Sequence, residues 1–224
     1  MYYNNISQYI DHTLLKPTAT RKDYEETAHI ALSYQCASVC VPPASIEIVK
    51  PILAGSGVAL CSVIGFPLGY QVKSAQVYES QHLLNMGVKE LDMVINIGRF
   101  LSGEDSYVHD EIATIAQLAH SADAILKVII ETSYLSDAQK VHICKISESA
   151  GADFVKTSTG FAPRGATIED VTLMRQSVSP HIGVKASGGI RDCATLISML
   201  QAGATRIGTS NTASIMQECS KQQF

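Results

Sequence analysis

Two lysines stand inside short apolar segments: Lys156 in Ala152-Asp153-Phe154-Val155-Lys156-Thr157 and Lys185 in Ile182-Gly183-Val184-Lys185-Ala186-Ser187. The charged form of a lysine loses hydration in a buried strand, so each position is costly. Small and hydroxyl residues follow both. Two amines held close together lower one another's proton affinity, and a neutral amine attacks carbonyls. A single lysine of this kind reads as a solvated strand edge; the pair points to Schiff-base chemistry.

The 224 residues suit one α/β barrel or one doubly wound sheet, and no linker-like or low-complexity stretch divides them into more than one domain. Hydrophobic residues make up 46%, enough for a large core, while charged residues are only 17% and the formal net charge is -4. That balance gives no footprint for nucleic acid or a membrane surface, so an anionic ligand must be held by local donors. The start, Met1-Tyr2-Tyr3-Asn4-Asn5, does not read as a secretion signal, and no apolar run reaches the roughly 20 residues of a membrane span. A cytoplasmic protein is expected. Cys36, Cys40, Cys61, Cys144, Cys193 and Cys219 show no zinc-like spacing, and most sit among apolar neighbours as reduced core thiols do.

The elements that must position the lysines recur in one plan. Asn85-Met86-Gly87-Val88, Ser149-Ala150-Gly151-Ala152 and Gln201-Ala202-Gly203-Ala204 each end a helical stretch on a Gly suited to a left-handed cap, and a strand follows. Strands are expected near 9–14, 38–42, 58–64, 90–96, 125–131, 153–158, 182–187 and 205–209. Helices are expected near 21–35, 44–54, 71–86, 105–120, 136–149, 167–177 and 191–202, with a last one after 210. Ser136 with Gln139, and Thr167 before Glu169-Asp170, read as helix caps. Eight strands alternating with helices fit a single-domain (β/α)8 TIM barrel spanning 1–224. An open doubly wound sheet stays as the alternative, because periodicity does not show closure.

Side chains alternate faces along a strand. Asp92 with Val94 and Asn96, Lys127 with Ile129 and Glu131, Lys156 with Phe154 and Ser158, and Lys185 with Gly183 and Ser187 each fall opposite a wholly apolar face. In a barrel the apolar face meets the helices, so Asp92, Lys127, Lys156 and Lys185 converge on the axis. The strands end in Thr157-Ser158-Thr159-Gly160, Ser187-Gly188-Gly189 and Gly208-Thr209-Ser210-Asn211. Backbone N–H groups in such turns bind oxyanions, and barrels often place a phosphate at the loops after strands seven and eight.

These segments, with Ile10-Asp11-His12-Thr13-Leu14-Leu15-Lys16-Pro17, Val39-Cys40-Val41 and Val63-Ile64-Gly65-Phe66-Pro67-Leu68-Gly69, resemble the deoxyribose-phosphate aldolases, a class I aldolase family. The resemblance runs from Ile10 to about Ser210. It implies a barrel without metal or cofactor that reversibly cleaves 2-deoxy-D-ribose 5-phosphate to acetaldehyde and D-glyceraldehyde 3-phosphate, in deoxyribonucleoside breakdown. By resemblance Lys156 forms the Schiff base, Lys185 is the cation that depresses its proton affinity, and Asp92 relays protons. Lys127 supports the polar network, and Asp11 and Cys40 line the pocket. Gly160, Ser187, Gly188, Gly189, Thr209 and Ser210 hold the phosphate, with Thr159 and Gly208 in the same binding loops. A homodimer is the family-level expectation.

Departures from the family pattern bear on phosphate contacts and rate rather than on reaction type. The loop Phe161-Ala162-Pro163-Arg164-Gly165-Ala166-Thr167 has fewer glycines than the common version, and Arg164 adds a charge near the mouth. Asn211 stands where a small residue is usual, and Phe224 ends the chain where some members carry a mobile tyrosine. His12 points away from the face of Asp11 and reads as packed; His29, His82, His109, His120 and His142 have no ligand spacing. Cys36 and Cys40 do not make a metal pair when Cys40 lies in a strand; Arg99 and Arg191 are chemically able to hold a phosphate but read as solvated loop residues, the commoner case. Two other readings stand beside the aldolase: a Schiff-base barrel for another aldehyde or sugar phosphate, and a non-catalytic sugar-phosphate-binding barrel.

Overall fold

The computed structural model describes residues 5–221; the first four residues and Gln222-Gln223-Phe224, with the expectation attached to Phe224, lie outside them. The chain runs β1 (Ile10–Thr13), α1 (Arg21–Tyr34), β2 (Ser38–Val41), α2 (Ile46–Leu53), β3 (Ala59–Ile64), α3 (Lys73–Asn85), β4 (Glu90–Val94), α4 (Ile97–Leu101) and α5 (Asp105–Ser121). It continues through β5 (Ile125–Ile129), α6 (Asp137–Ser149), β6 (Phe154–Lys156), α7 (Ile168–Ser177), β7 (Gly183–Ser187), α8 (Cys193–Gln201), β8 (Arg206–Thr209) and α9 (Thr212–Cys219). Every neighbouring pair is parallel, and β8 returns to pair with β1, Ile10 opposite Ile207. Closure is what periodicity left open, and it selects the (β/α)8 barrel over the open sheet.

The strands are shorter at their ends than expected, because the ladder stops where each loop turns towards the mouth. The short α4 and three 3-10 turns, at Ile6–Tyr9, Pro43–Ser45 and Thr132–Tyr134, were not legible in the pattern. Their runs are too brief to show a period. Ser136 forms the expected capping box with Gln139, and Thr167 accepts from the Asp170 N–H. Gly87, Gly151 and Gly203 take φ of 92°, 90° and 109°, which only glycine adopts without strain, so each helix–Gly–strand junction turns as its sequence implies.

Strand parity sets where the core lies. Val39, Val41, Leu91, Met93, Leu126, Val128, Val155, Val184 and Ala186 all join one buried cluster with the inner faces of the helices. On α5 that face is Val108, Ile112, Ile115, Ala116 and Ala119, a helical stripe. Burial contributes about 1.5–3 kcal/mol for each large side chain of this kind. Inside the barrel Cys40, Cys61 and Val63 form their own cluster, under Leu15 and Phe66. Beside them the interior holds the buried charged groups Asp11, Asp92, Lys127, Lys156 and Lys185.

The thiols differ from expectation in one respect. Cys193, at the start of α8, and Cys219, at the end of α9, are joined as a disulfide with Cα atoms 5.5 Å apart. They lie 26 residues apart on two packed helices, so no local pattern reveals the pairing. Cys36, Cys40, Cys61 and Cys144 are free and buried.

Candidate active site

The register brings Lys156 directly opposite Lys185, and Asp92 directly opposite Lys127. All four point inward and converge. Asp92 Oδ2 accepts from Lys156 Nζ at 2.7 Å and from Lys185 Nζ at 2.6 Å, while Asp92 Oδ1 accepts from Lys127 Nζ at 2.7 Å. Lys185 also donates to Asp11 Oδ2. Gly208 makes room for this: a Cβ there would stand 3.3 Å from Lys185 Cε and 3.0 Å from Ser187 Cβ.

Two members of the cluster were not singled out in the sequence. Glu90 Oε2 lies 2.7 Å from Lys127 Nζ, and Arg206 Nη1 bridges Glu90 Oε2 at 2.9 Å and Asp11 Oδ1 at 2.6 Å. They open β4 and β8, on the same parity as Asp92 and Gly208, and extending the alternation to the strand starts would have found them. Three carboxylates therefore face four basic groups.

Burial alone would raise the proton affinity of Asp92, but the charges of Lys127, Lys156 and Lys185 hold its carboxyl well below the usual range. Asp11 is likewise depressed, against burial, by Lys185, Lys127 and Arg206. Burial opposes the charge on Lys127 and Lys185; for Lys185 the Asp11 and Asp92 carboxylates outweigh it, and for Lys127 Asp92 leads, so both stay firmly protonated. In the resting site Asp92 is thus an anion and Lys185 a cation.

A cavity of about 360 Å³ opens at the C-terminal ends of the strands, among the loops after β1, β6, β7 and β8. Lys156 borders it, whereas Asp11, Cys40, Asp92, Lys127 and Lys185 are fully buried and do not line it. Thr159, Gly160, Ser187, Gly188, Gly189, Gly208, Thr209 and Ser210 all reach the wall, as the loop sequences imply. Lys16 and Arg191 also stand there, exposed; Arg191, read from the sequence as a solvated loop residue, borders the glycine turn. Among the described residues, the N–H groups of Gly160, Gly188 and Gly189 donate to no protein acceptor. Free N–H groups beside two cations make a cradle for an oxyanion.

Cys40 and Cys61 face each other across β2 and β3, and their thiols lie near Asp92. Two sulfurs and a carboxylate resemble a metal donor set, yet Asp92 already accepts from three lysine amines and Lys127 Nζ donates to Cys61 Sγ at 3.4 Å. A divalent cation there would be repelled on several sides. Arg164 is not a free charge at the mouth: it pairs with Asp170, which also binds Lys140 at 2.6 Å. Arg99 pairs with Glu104 and lies over the Tyr107 ring. His12 is packed, its Nδ1 2.8 Å from Thr212 Oγ1, while His120 and His142 pair with Asp153 and Asp105.

A family model described as DeoC/LacD family aldolase matches residues 6–215. The chain belongs to this family. The family's relatives include a deoxyribose-phosphate aldolase from Caldanaerobacter subterraneus subsp. tengcongensis, 47% identical over 97% of this chain and 95% of that one. Another, from Brevibacillus brevis, is 48% identical over 95% of each. Among solved structures, the aldolase QR15 superposes with a TM-score of 0.91 at 42% identity, covering 96% of both chains. A deoxyribose phosphate aldolase from Aeropyrum pernix, described as a unique tetramer, gives 0.90 at 35% identity over 96% of this chain and 91% of that one. Family membership accords with a lysine cluster that opens to the cavity at one amine.

Proposed function

We propose that the chain reversibly cleaves 2-deoxy-D-ribose 5-phosphate to acetaldehyde and D-glyceraldehyde 3-phosphate through a Schiff base on Lys156. The observation that carries this reading is that Lys156 alone among the clustered bases borders the cavity. It also touches only one carboxylate, whereas Lys185 and Arg206 touch two and Lys127 three. Three carboxylates are matched in number by Lys127, Lys185 and Arg206, so Lys156 is the base in excess of them. A neutral amine at a cavity is the nucleophile that carbonyl chemistry needs.

Lys156 Nζ adds to C1 of the open-chain sugar, water leaves, and an iminium forms. The C3 hydroxyl gives up its proton, the C2–C3 bond breaks, and its electron pair passes through C2 to the iminium nitrogen as an enamine. D-glyceraldehyde 3-phosphate departs. Protonation of C2 and hydrolysis then release acetaldehyde and restore the amine. Asp92 receives and returns protons through the lysines and water around it, and Lys185 supplies the standing positive charge. The Gly160, Gly188–Gly189 and Thr209–Ser210 turns, with Arg191 and Lys16, hold the 5-phosphate.

A purely binding barrel has no use for a buried four-base cluster, which is expensive to keep. The direct test is release of acetaldehyde from 2-deoxyribose 5-phosphate by the wild-type chain and by Lys156→Ala. Activity lost only in the variant supports the assignment; equal activity in both refutes it. We further read the chain as a cytoplasmic homo-oligomer: Leu68, Tyr70 and Val72 before α3 and Tyr78 on it are 49–74% exposed, apolar surface that a second subunit would cover. A monomer by light scattering at micromolar concentration would refute that.

A further inference from the structure

Glu131 follows β5 by two residues and is 1% exposed. Its backbone is left-handed, φ 53° and ψ 70°, which a bulky side chain adopts only where its surroundings impose it. The turn aims the carboxylate at the neighbouring loop after β6. There Glu131 Oε2 accepts from Thr159 N at 3.1 Å and from Thr159 Oγ1 at 2.5 Å. Thr159 Oγ1 in turn accepts from Phe161 N at 3.1 Å. The residues on both sides of Gly160 are thereby tied to one carboxylate, and Gly160 keeps φ 87° with its N–H free. Among the described residues Glu131 Oε1 has no hydrogen-bond partner, so the side chain is retained at the cost of an unsatisfied buried oxygen.

We propose that Glu131 is a positioning residue that holds the loop after β6 in its anion-receiving form, acting through Thr159 rather than on substrate. The inference rests on the reading of this cavity as an aldolase site with a phosphate cradle. A small loop is entropically free to turn its N–H groups away from an anion; a single buried acceptor taking two donors from one residue removes that freedom. The role is therefore specific to the phosphate end of the substrate.

The readout is the ratio of kcat/KM for 2-deoxyribose 5-phosphate to that for unphosphorylated 2-deoxyribose. In Glu131→Ala the ratio is expected to fall about tenfold or more, mainly through KM for the phosphorylated sugar, and Glu131→Gln, which keeps an accepting oxygen, is expected to restore most of it. A general loss of fold or chemistry lowers both values and leaves the ratio unmoved. If Glu131→Ala does not fold, Thr159→Val removes the hydroxyl and is expected to give the same fall. An unchanged ratio in whichever variant folds overturns the proposal. Borohydride trapping of acetaldehyde on Lys156 in the same variant separately reports whether the Schiff-base reading stands.

Discussion

Lys156 and Lys185 stand opposite each other on β6 and β7, and both amines donate to one oxygen, Oδ2 of Asp92, at 2.7 and 2.6 Å. Their difference lies in what else each one meets. Lys185 has Asp11 as a second carboxylate and no route to the cavity, while Lys156 has the cavity and no second carboxylate.

Asp92 is the shared partner of three ammonium groups, so Asp92→Asn should be severe. The proton relay is lost, and kcat/KM for sugar-phosphate cleavage is expected to fall by about 10²–10⁴. The three lysines also lose their common anion, and unfolding in urea is expected to show a loss of about 3–5 kcal/mol. Near-normal turnover in a folded variant would remove Asp92 from the mechanism.

Lys185→Met should leave the fold of β7 intact but remove one standing charge. The cluster then lacks the cation that stands opposite Lys156, and attack on the aldehyde is expected to slow by about 10–1000-fold, the usual effect of one neighbouring charge. The rate of acetaldehyde adduct formation at pH 7, read by borohydride quenching at timed intervals, is expected to fall within that range. An unaltered rate would mean that Lys185 has no electrostatic role.

How much of this was legible beforehand follows from what alternation can and cannot say. Parity alone placed Asp92, Lys127, Lys156 and Lys185 on one face, because an apolar opposite face in four strands has one interpretation in a barrel. The closed ladder, the Lys156–Lys185 register and the Cys40–Cys61 pairing depend on how strands slide past one another, and that is a tertiary property. Glu90 and Arg206 were missed because each opens its strand, where a charge looks like a solvated end. Glu131 looked like an ordinary interior continuation of β5; its left-handed turn is invisible in a sequence without a glycine there.

Glu111, on α5, is fully buried and accepts only a long hydrogen bond from Asn96 N at 3.4 Å. Burial pushes its carboxyl up to about 7, above the unfolded value of 4.5. The folded state therefore favours the protonated form, and this contribution is complete below about 4.5 and is lost as pH rises through about 7. Glu111→Gln is expected to be neutral at pH 4 and stabilising by about 1–3 kcal/mol at pH 8. Urea unfolding at the two pH values checks it; destabilisation at pH 8 would contradict it.

His12 gives the opposite slope. Burial pushes its pKa down to about 4 from 6.5, so the unfolded chain binds the proton more readily between those values. Its contribution is complete above about 6.5 and is lost as pH falls towards 4, amounting to about 3 kcal/mol. His12→Gln should flatten the decline in unfolding free energy over that interval. A decline as steep as in the wild type would assign it to other groups.

The central claim is that one amine of the buried cluster forms the Schiff base. Incubating the wild-type chain with acetaldehyde, reducing with borohydride and mapping the peptides by mass spectrometry tests it most directly. The expected result is a single ethyl group on Lys156, with Lys127 and Lys185 unmodified. A stable adduct on Lys185 instead, or no adduct on any of the three, would contradict the account.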